Sequence, residues 1–254
     1  MSVEIAFPDG LEQGAVDGLG TLLETLGGGE LVEAPLIAAV SLLGRSEVRS
    51  HLAAMQPPAG QGVVHESQKL ERHAPLETGT PLRLAVTEES NKAARLFSFH
   101  LAGANGLAVS LETRLRFVTP EEMARFRGSL FPERMNTPAT KWLESAAFDS
   151  RAVQRYLDIS QDKNPIHSDP EAASAVGLAD PIVPGLLVAG VGEAVCTALR
   201  PDAAVAAMQW RFMAPVPIGA VLRFGLQPRS DTTARLFAVN AETNMIAAIG
   251  EIRF

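Results

Sequence analysis

Pro75-Leu-Glu-Thr-Gly79-Thr-Pro-Leu82-Arg83-Leu84 and Pro215-Val-Pro-Ile-Gly219-Ala-Val-Leu222-Arg223-Phe224 are one pattern written twice, 140 residues apart (215 − 75). At the same offset Ala94-Arg95-Leu96-Phe97 returns as Ala234-Arg235-Leu236-Phe237. Glu112-Thr-Arg114-Leu-Arg116-Phe117 is echoed by Glu251-Ile252-Arg253-Phe254, with the Arg-Phe pairs 137 apart (253 − 116). Three matches in order at nearly one offset imply an internal duplication. The expected domains are 1–135 and 136–254. They join between about Val118 and Phe148, where Thr119-Pro120, Phe131-Pro132 and Thr137-Pro138 read as linker punctuation rather than core.

The second copy ends in four strand-like segments, Val205–Ala214, Ala220–Gln227, Ala234–Ala241 and Met245–Phe254. Gln209-Trp210-Arg211-Phe212 and Leu222-Arg223-Phe224 alternate polar and apolar residues, the period of a half-buried strand. Consecutive strands predict an antiparallel sheet in an α+β protein, not a Rossmann alternation. Ahead of them, Leu186 to Leu199 is apolar nearly all round, so that helix must be buried. Sheet wrapped on helix is the simplest arrangement. Pro35–Gly44 offers the counterpart helix in the first copy. Gly190 and Gly192 cost the buried helix roughly 1 kcal/mol each against Ala, which predicts close approach by the sheet or a ligand. Gly190-Val191-Gly192 lacks the third glycine of a dinucleotide loop.

Composition narrows the function. The 254 residues carry 22 Lys+Arg and 29 Asp+Glu, a net charge of −7, which argues against a nucleic-acid or anionic-membrane partner. No apolar run reaches the ~18 residues of a membrane span, and the first residues lack the basic, then apolar pattern of a signal peptide. A cytoplasmic protein is the expectation. Cys196 is the single cysteine, which excludes an internal disulfide and a multi-cysteine zinc site. It reads as a small buried apolar residue.

The chemistry lies in Arg155-Tyr-Leu-Asp-Ile-Ser160-Gln161-Asp162-Lys163-Asn164-Pro165-Ile166-His167-Ser168-Asp169-Pro170. Asp149–Ile159 predicts a short helix capped by Asp149 or Ser150. The residue before a proline avoids helix, so Asn164-Pro165 forces a turn. Asp169-Pro170-Glu171 opens a second helix that Gly177 ends. Asp162, Asn164 and His167 therefore share a constrained loop. A carboxylate and an imidazole converging there form an acid/base pair, with Asn164 holding a water or orienting Asp162. Pro184-Gly185 opens the buried helix, whose first amides have no intrahelical partner. Gly185 N–H is thus a site for a developing oxyanion. Asp169 reads as an N-cap, although Asp162, His167 and Asp169 could also be read as a metal triad. His51, His65, His73 and His100 carry no motif and default to surface or satisfied positions. Trp142, Tyr156 and Trp210 read as packing residues. Lys163 and Arg211 could meet phosphates of a ligand.

Asp162-x-Asn164-Pro165-Ile166-His167-x-Asp169, followed by Ala172, Gly177 and Ile182-x-x-Gly185, resembles the hydratase motif of MaoC-like dehydratases and (R)-specific enoyl-CoA hydratases. The resemblance implies a double hotdog, two antiparallel sheets each wrapped on a long helix. It implies an acyl-CoA substrate, Asp162 and His167 handling water and proton, and the Gly185 amide binding the thioester oxygen. It implies no cofactor and no metal, and leaves a homodimer open. Gln161 stands where the family commonly has Gly, and Pro184 where it commonly has His. The first copy has no such motif and is expected to shape the acyl pocket. Reversible hydration of a trans-2-enoyl-CoA is the leading expectation. A hotdog acyl-CoA thioesterase and a non-catalytic acyl-thioester-binding subunit are the alternatives.

Overall fold

The computed structural model describes residues 2–52, 57–90 and 94–254. The chain begins with β1 (Ser2–Phe7) and α1 (Gln13–Gly27). A 3-10 turn over Leu36–Ala39 runs into the single turns α2 (Val40–Leu43) and α3 (Ser46–Arg49). The strands β2 (Gly62–Arg72), β3 (Leu82–Ser90), β4 (Arg95–Gly103) and β5 (Gly106–Val118) follow. The second half holds α4 (Pro120–Ala124), β6 (Lys141–Glu144), α5 (Ser150–Ser160), α6 (Pro170–Ala175) and α7 (Gly185–Leu199). It closes with β7 (Ala207–Phe212), β8 (Leu222–Pro228), β9 (Thr233–Asn240) and β10 (Ile246–Arg253).

The ten strands among the described residues form one sheet in the order β1-β3-β4-β5-β2-β7-β10-β9-β8-β6, antiparallel throughout. The order reads the same from both edges once β1 is matched with β6, β3 with β8, β4 with β9, β5 with β10 and β2 with β7. The repeat in the sequence is thus a repeat in topology. The two copies meet at β2 and β7, where Lys69 faces Gln209, residues 140 apart (209 − 69). Equivalent residues face each other there, as they would across a twofold axis. The two expected copies of the antiparallel sheet are joined by this pairing into one continuous sheet.

The helix side is less symmetric. α7 is buried from Leu187 to Thr197, as its unbroken apolar surface requires. Gly192 lets it approach the sheet: a Cβ there would lie 2.5 Å from Trp210 Cζ2, and Trp210 is wholly buried. Gly190 faces the first half instead, where a Cβ would stand 2.6 Å from Ile37 Cδ1. α1 also crosses α7 closely, since a Cβ on Gly27 would come 2.7 Å from Ala194 Cβ. Both glycines of α7 thus serve protein packing.

Two expectations are corrected. Pro35–Gly44 is not a second long helix but a 3-10 turn and one turn of α-helix, with Leu36 through Val40 and Leu42 buried. Apolar periodicity over ten residues cannot tell a helix from a buried bent segment. The joint between the copies is more than a linker. Its helix α4 has a full capping box, Thr119 with Glu122, and packs Met123 against Val64, Ile166 and Leu178. Phe131 packs edge-on against Trp142 and Phe237. The prolines at the joint mark element starts, Pro120 at the first turn of α4.

Candidate active site

The predicted loop forms as its residues demand. Asp149 caps α5, its Oδ1 accepting from Ala152 N at 2.7 Å. α5 ends at Gln161, which sits in the left-handed region at φ 53 and ψ 28. This conformation explains why a glycine suits the position: a side chain there costs about 1–2 kcal/mol. The first half presses on the same point, since a Cβ on Gly44 would lie 2.2 Å from Ser160 O and 2.6 Å from Gln161 Cβ. Asn164 then starts a 3-10 turn over Pro165–His167, and Asp169 caps α6 by accepting from Glu171 N at 2.8 Å. Gly177 follows α6 at φ 89, in the left-handed conformation expected of its stop.

Within this loop Asp162 and His167 converge. Asp162 Oδ1 accepts from Asn164 N at 2.9 Å, so the backbone of Asn164 fixes the carboxylate. The Asn164 side chain is turned to its own 3-10 turn, accepting from Ile166 N at 3.4 Å. Asp162 Oδ2 lies 3.8 Å from His167 Nε2. His167 is buried, and its Nδ1 lies 2.8 Å from Ile182 O. A carbonyl only accepts, so Nδ1 carries the proton of the neutral ring and Nε2 presents a lone pair to Asp162. Burial lowers the His167 pKa below the ordinary histidine value, against the pull of Asp162 and the Ile182 carbonyl. The imidazole is therefore neutral at pH 7. Tyr156 lies beneath, buried, its pKa raised by burial and by the Asp162 charge. It stays an uncharged phenol.

Gly185 is the first residue of α7, behind Pro184 as N-cap. Among the described residues the amides of Gly185 and Leu186 have no hydrogen-bond partner. Val183 N, just ahead, is tied to Val216 O at 2.8 Å. A Cβ on Gly185 would meet Phe212 Cε1 and Cζ at 3.2 Å and His65 Nδ1 at 3.4 Å. His65 comes from β2, in the first half. Its ring lies 4.6 Å from that of Phe212, and burial lowers its pKa to about 4 with a contribution from His167. No motif surrounds His65, so from the sequence it reads only as a surface or satisfied histidine. Its place depends on an irregularity in β2 that no local pattern announces.

Asp169 is engaged with α6 rather than with the pair. Among the described residues no group of three or more His, Cys, Asp or Glu side chains is arranged to hold a metal ion. Trp210 and Tyr156 are packing residues, as expected, and His51, His73 and His100 lie exposed. Lys163 and Arg211 are exposed as well. No helix among the described residues is long and apolar enough to cross a membrane.

This loop and helix coincide with a known domain: the model of the family described as "MaoC like domain" matches residues 135–247. The match spans 113 of the 254 residues (247 − 135 + 1). Asp162, Asn164, His167 and Gly185 all fall inside it. A stretch of 76 residues, 30% of the chain, is 34% identical to the 3-hydroxyacyl-[acyl-carrier-protein] dehydratase, mitochondrial, of Arabidopsis thaliana. The match spans 46% of that relative's length. Across the whole chain the fold is similar to HtdX of Mycobacterium tuberculosis, with a TM-score of 0.73 at 18% identity, covering 99% of each chain. It is also similar to RV0216 of that organism, described as a double hotdog fold, with a TM-score of 0.58 at 16% identity, covering 99% of this chain and 94% of the other. The architecture is a double hotdog of the α+β class, with the residues matched by the MaoC like domain model in its second half.

Proposed function

We propose that the protein adds water reversibly across the double bond of a trans-2-enoyl thioester, giving a 3-hydroxyacyl thioester, with acyl-CoA as substrate. One observation carries the reading. Asp162 Oδ2 and the unprotonated Nε2 of His167 are two acceptors aimed at each other across 3.8 Å, with no proton of their own to share. A water molecule between them donates one O–H to each and turns its lone pairs outward.

The chemistry follows in balance. The water oxygen bonds to Cβ of the enoyl group as one of its protons passes to the Asp162–His167 pair. The π electrons move to Cα and the thioester carbonyl, where Gly185 N–H donates to the developing oxyanion. The pair returns a proton to Cα. Dehydration is the same path reversed. The lowered pKa of His167 keeps its lone pair available below pH 6.5. The Arabidopsis relative is named for a dehydratase of the same thioester class carried by acyl-carrier protein, which supports the reaction type. The first half brings His65 beside Gly185 and is read as shaping the acyl pocket.

A thioesterase also uses water, but its water attacks the carbonyl carbon and releases a thiol. Crotonyl-CoA separates the two reactions. Loss of enoyl-thioester absorbance without thiol release is expected. Thiol release in step with the absorbance change would replace hydration with hydrolysis. Binding without either change, across short, long and branched enoyl-CoAs, would leave a binding subunit.

A further inference from the structure

We propose that His65, contributed by the first half, is a positioning residue of this site, orienting the thioester carbonyl toward the Gly185 amide. The proposal rests on the hydration reading above. In a regular strand residues 65 and 68 would face opposite sides of the sheet, being an odd number apart. The pairing of β2 with β5 shifts register between His65 and Ser67, a β-bulge. The extra residue returns His65 to the inner face, beside Gln68, and bulges commonly re-aim a side chain this way. His65 Nε2 lies 3.2 Å from Gln68 Oε1.

The proton on the imidazole is thereby placed. Gln68 is wholly buried and its amide orientation is fixed: Nε2 donates to Lys69 O at 3.0 Å, and Oε1 accepts from Thr113 Oγ1 at 2.7 Å. The same Oε1 can only accept from His65, so Nε2 of the imidazole carries the hydrogen and Nδ1 carries the lone pair. That Nδ1 faces the opening of α7, 3.4 Å from where a Cβ of Gly185 would stand, with the Phe212 ring alongside. A carbonyl oxygen that approached the first-half side would meet this lone pair and be repelled. On the α7 side it meets N–H groups without partners. Burial keeps the ring uncharged, so it does not compete with α7 for the oxyanion.

The test compares wild type, His65→Phe and His65→Asn with crotonyl-CoA, measuring kcat and KM separately, and reads the wild-type ring by nitrogen NMR of labelled histidine. His65→Phe keeps a flat ring beside Phe212 and removes the lone pair. A fall in kcat of about 10- to 100-fold with KM changed less than threefold is expected, since misplacing a reacting group by about 1 Å can cost as much. His65→Asn restores an oxygen near the place of Nδ1 and should recover part of the loss. The NMR should show one neutral tautomer with hydrogen on Nε2 down to about pH 5. Unchanged kcat in a folded His65→Phe protein beside an active wild type would overturn the proposal alone. So would hydrogen on Nδ1. Loss of fold in His65→Phe would shift the decision to His65→Asn and Gln68→Glu, whose carboxylate still accepts from Nε2; wild-type kcat in the folded His65→Asn protein would overturn the proposal. A wild type inactive on every enoyl thioester would overturn the hydration reading, and this proposal with it.

Discussion

The β2–β7 seam has two ends, and they are chemically unlike. At one end His65, Phe212 and the start of α7 meet the Asp162–His167 pair. At the other, Arg72 closes β2 with its amide bonded to Ala206 O at 2.9 Å, and the buried Glu193 of α7 faces it. Twofold topology makes these ends equivalents. At the Glu193 end both carboxyl oxygens have found partners. Glu193 Oε2 accepts from Leu36 N at 2.9 Å, and Oε1 lies 3.4 Å from Arg72 Nη2. Arg72 also pairs with Glu33 at 2.7 Å and donates to Ala34 O at 2.8 Å. At the His167 end two acceptors face each other and two amides stay unpaired. Buried polar groups are normally satisfied by the protein itself. The His167 end, with its facing acceptors and free amides, is the one poised to take a reactant; the Glu193 end clamps α7 to the first half, although Arg72 Nη1 is buried there without a hydrogen-bond partner among the described residues.

The largest effect should come from the His167 end. Asp162→Asn removes one of the two acceptors, and turnover of crotonyl-CoA should fall by about 10²–10⁴-fold. An activity within twofold of wild type would erase the distinction between the ends. The clamp should respond in stability instead. Burial pushes Glu193 up to about 7, against the pull of Leu36 N–H and Arg72. The folded protein then holds a proton that the unfolded chain has released above pH 4.5. Its contribution is complete below the unfolded value, declines as pH rises toward 7, and changes little beyond. The full swing is at most about 3 kcal/mol. Glu193→Gln should flatten this slope in denaturant titrations at pH 5 and pH 8. An unchanged slope would mean the clamp titrates elsewhere.

Smaller effects sharpen the contrast between the helices. Gly192→Ala drives a methyl group into the rigid Trp210 ring and should destabilise by about 1–3 kcal/mol in urea unfolding. Gly20→Ala in α1, where nothing lies within 4 Å of the added carbon, should stabilise by about 0.5–1 kcal/mol. Equal signs for the two would refute the packing assigned to α7. Gln161→Gly relieves the left-handed backbone but loosens the unfolded chain, so a gain under about 1 kcal/mol is expected, read as a small rise in Tm.

What was legible in the sequence divides along physical lines. Strands β7 to β10 fall within the segments marked by alternation and turn residues, allowing for single residues at their ends. Local chemistry also placed Asp149 and Asp169 as caps and the Asn164-Pro165 turn, because each depends on one or two neighbours in the chain. Three features needed distant partners and stayed hidden. The bend of Leu36–Leu43 is held by Glu193, 157 positions from Leu36. Phe131 is buried only because Phe237 and Trp142 converge on it. His65 is turned inward by a bulge set by pairing with β5. The convergence of Asp162 with His167 was foreseen from the loop. The exact division of Asn164, with its backbone serving Asp162 and its side chain serving the turn, was not.

The seam also governs how the site answers dilution. The proposed reacting groups lie on the second half, but His65, the wall proposed for the site, belongs to the first. Were the halves separate chains, the wall would leave as the protein was diluted below their dissociation constant. Tethered in one polypeptide, each half sees the other at an effective concentration that is typically millimolar for short connections. His65 therefore stays beside Gly185 at any concentration at which the protein is folded.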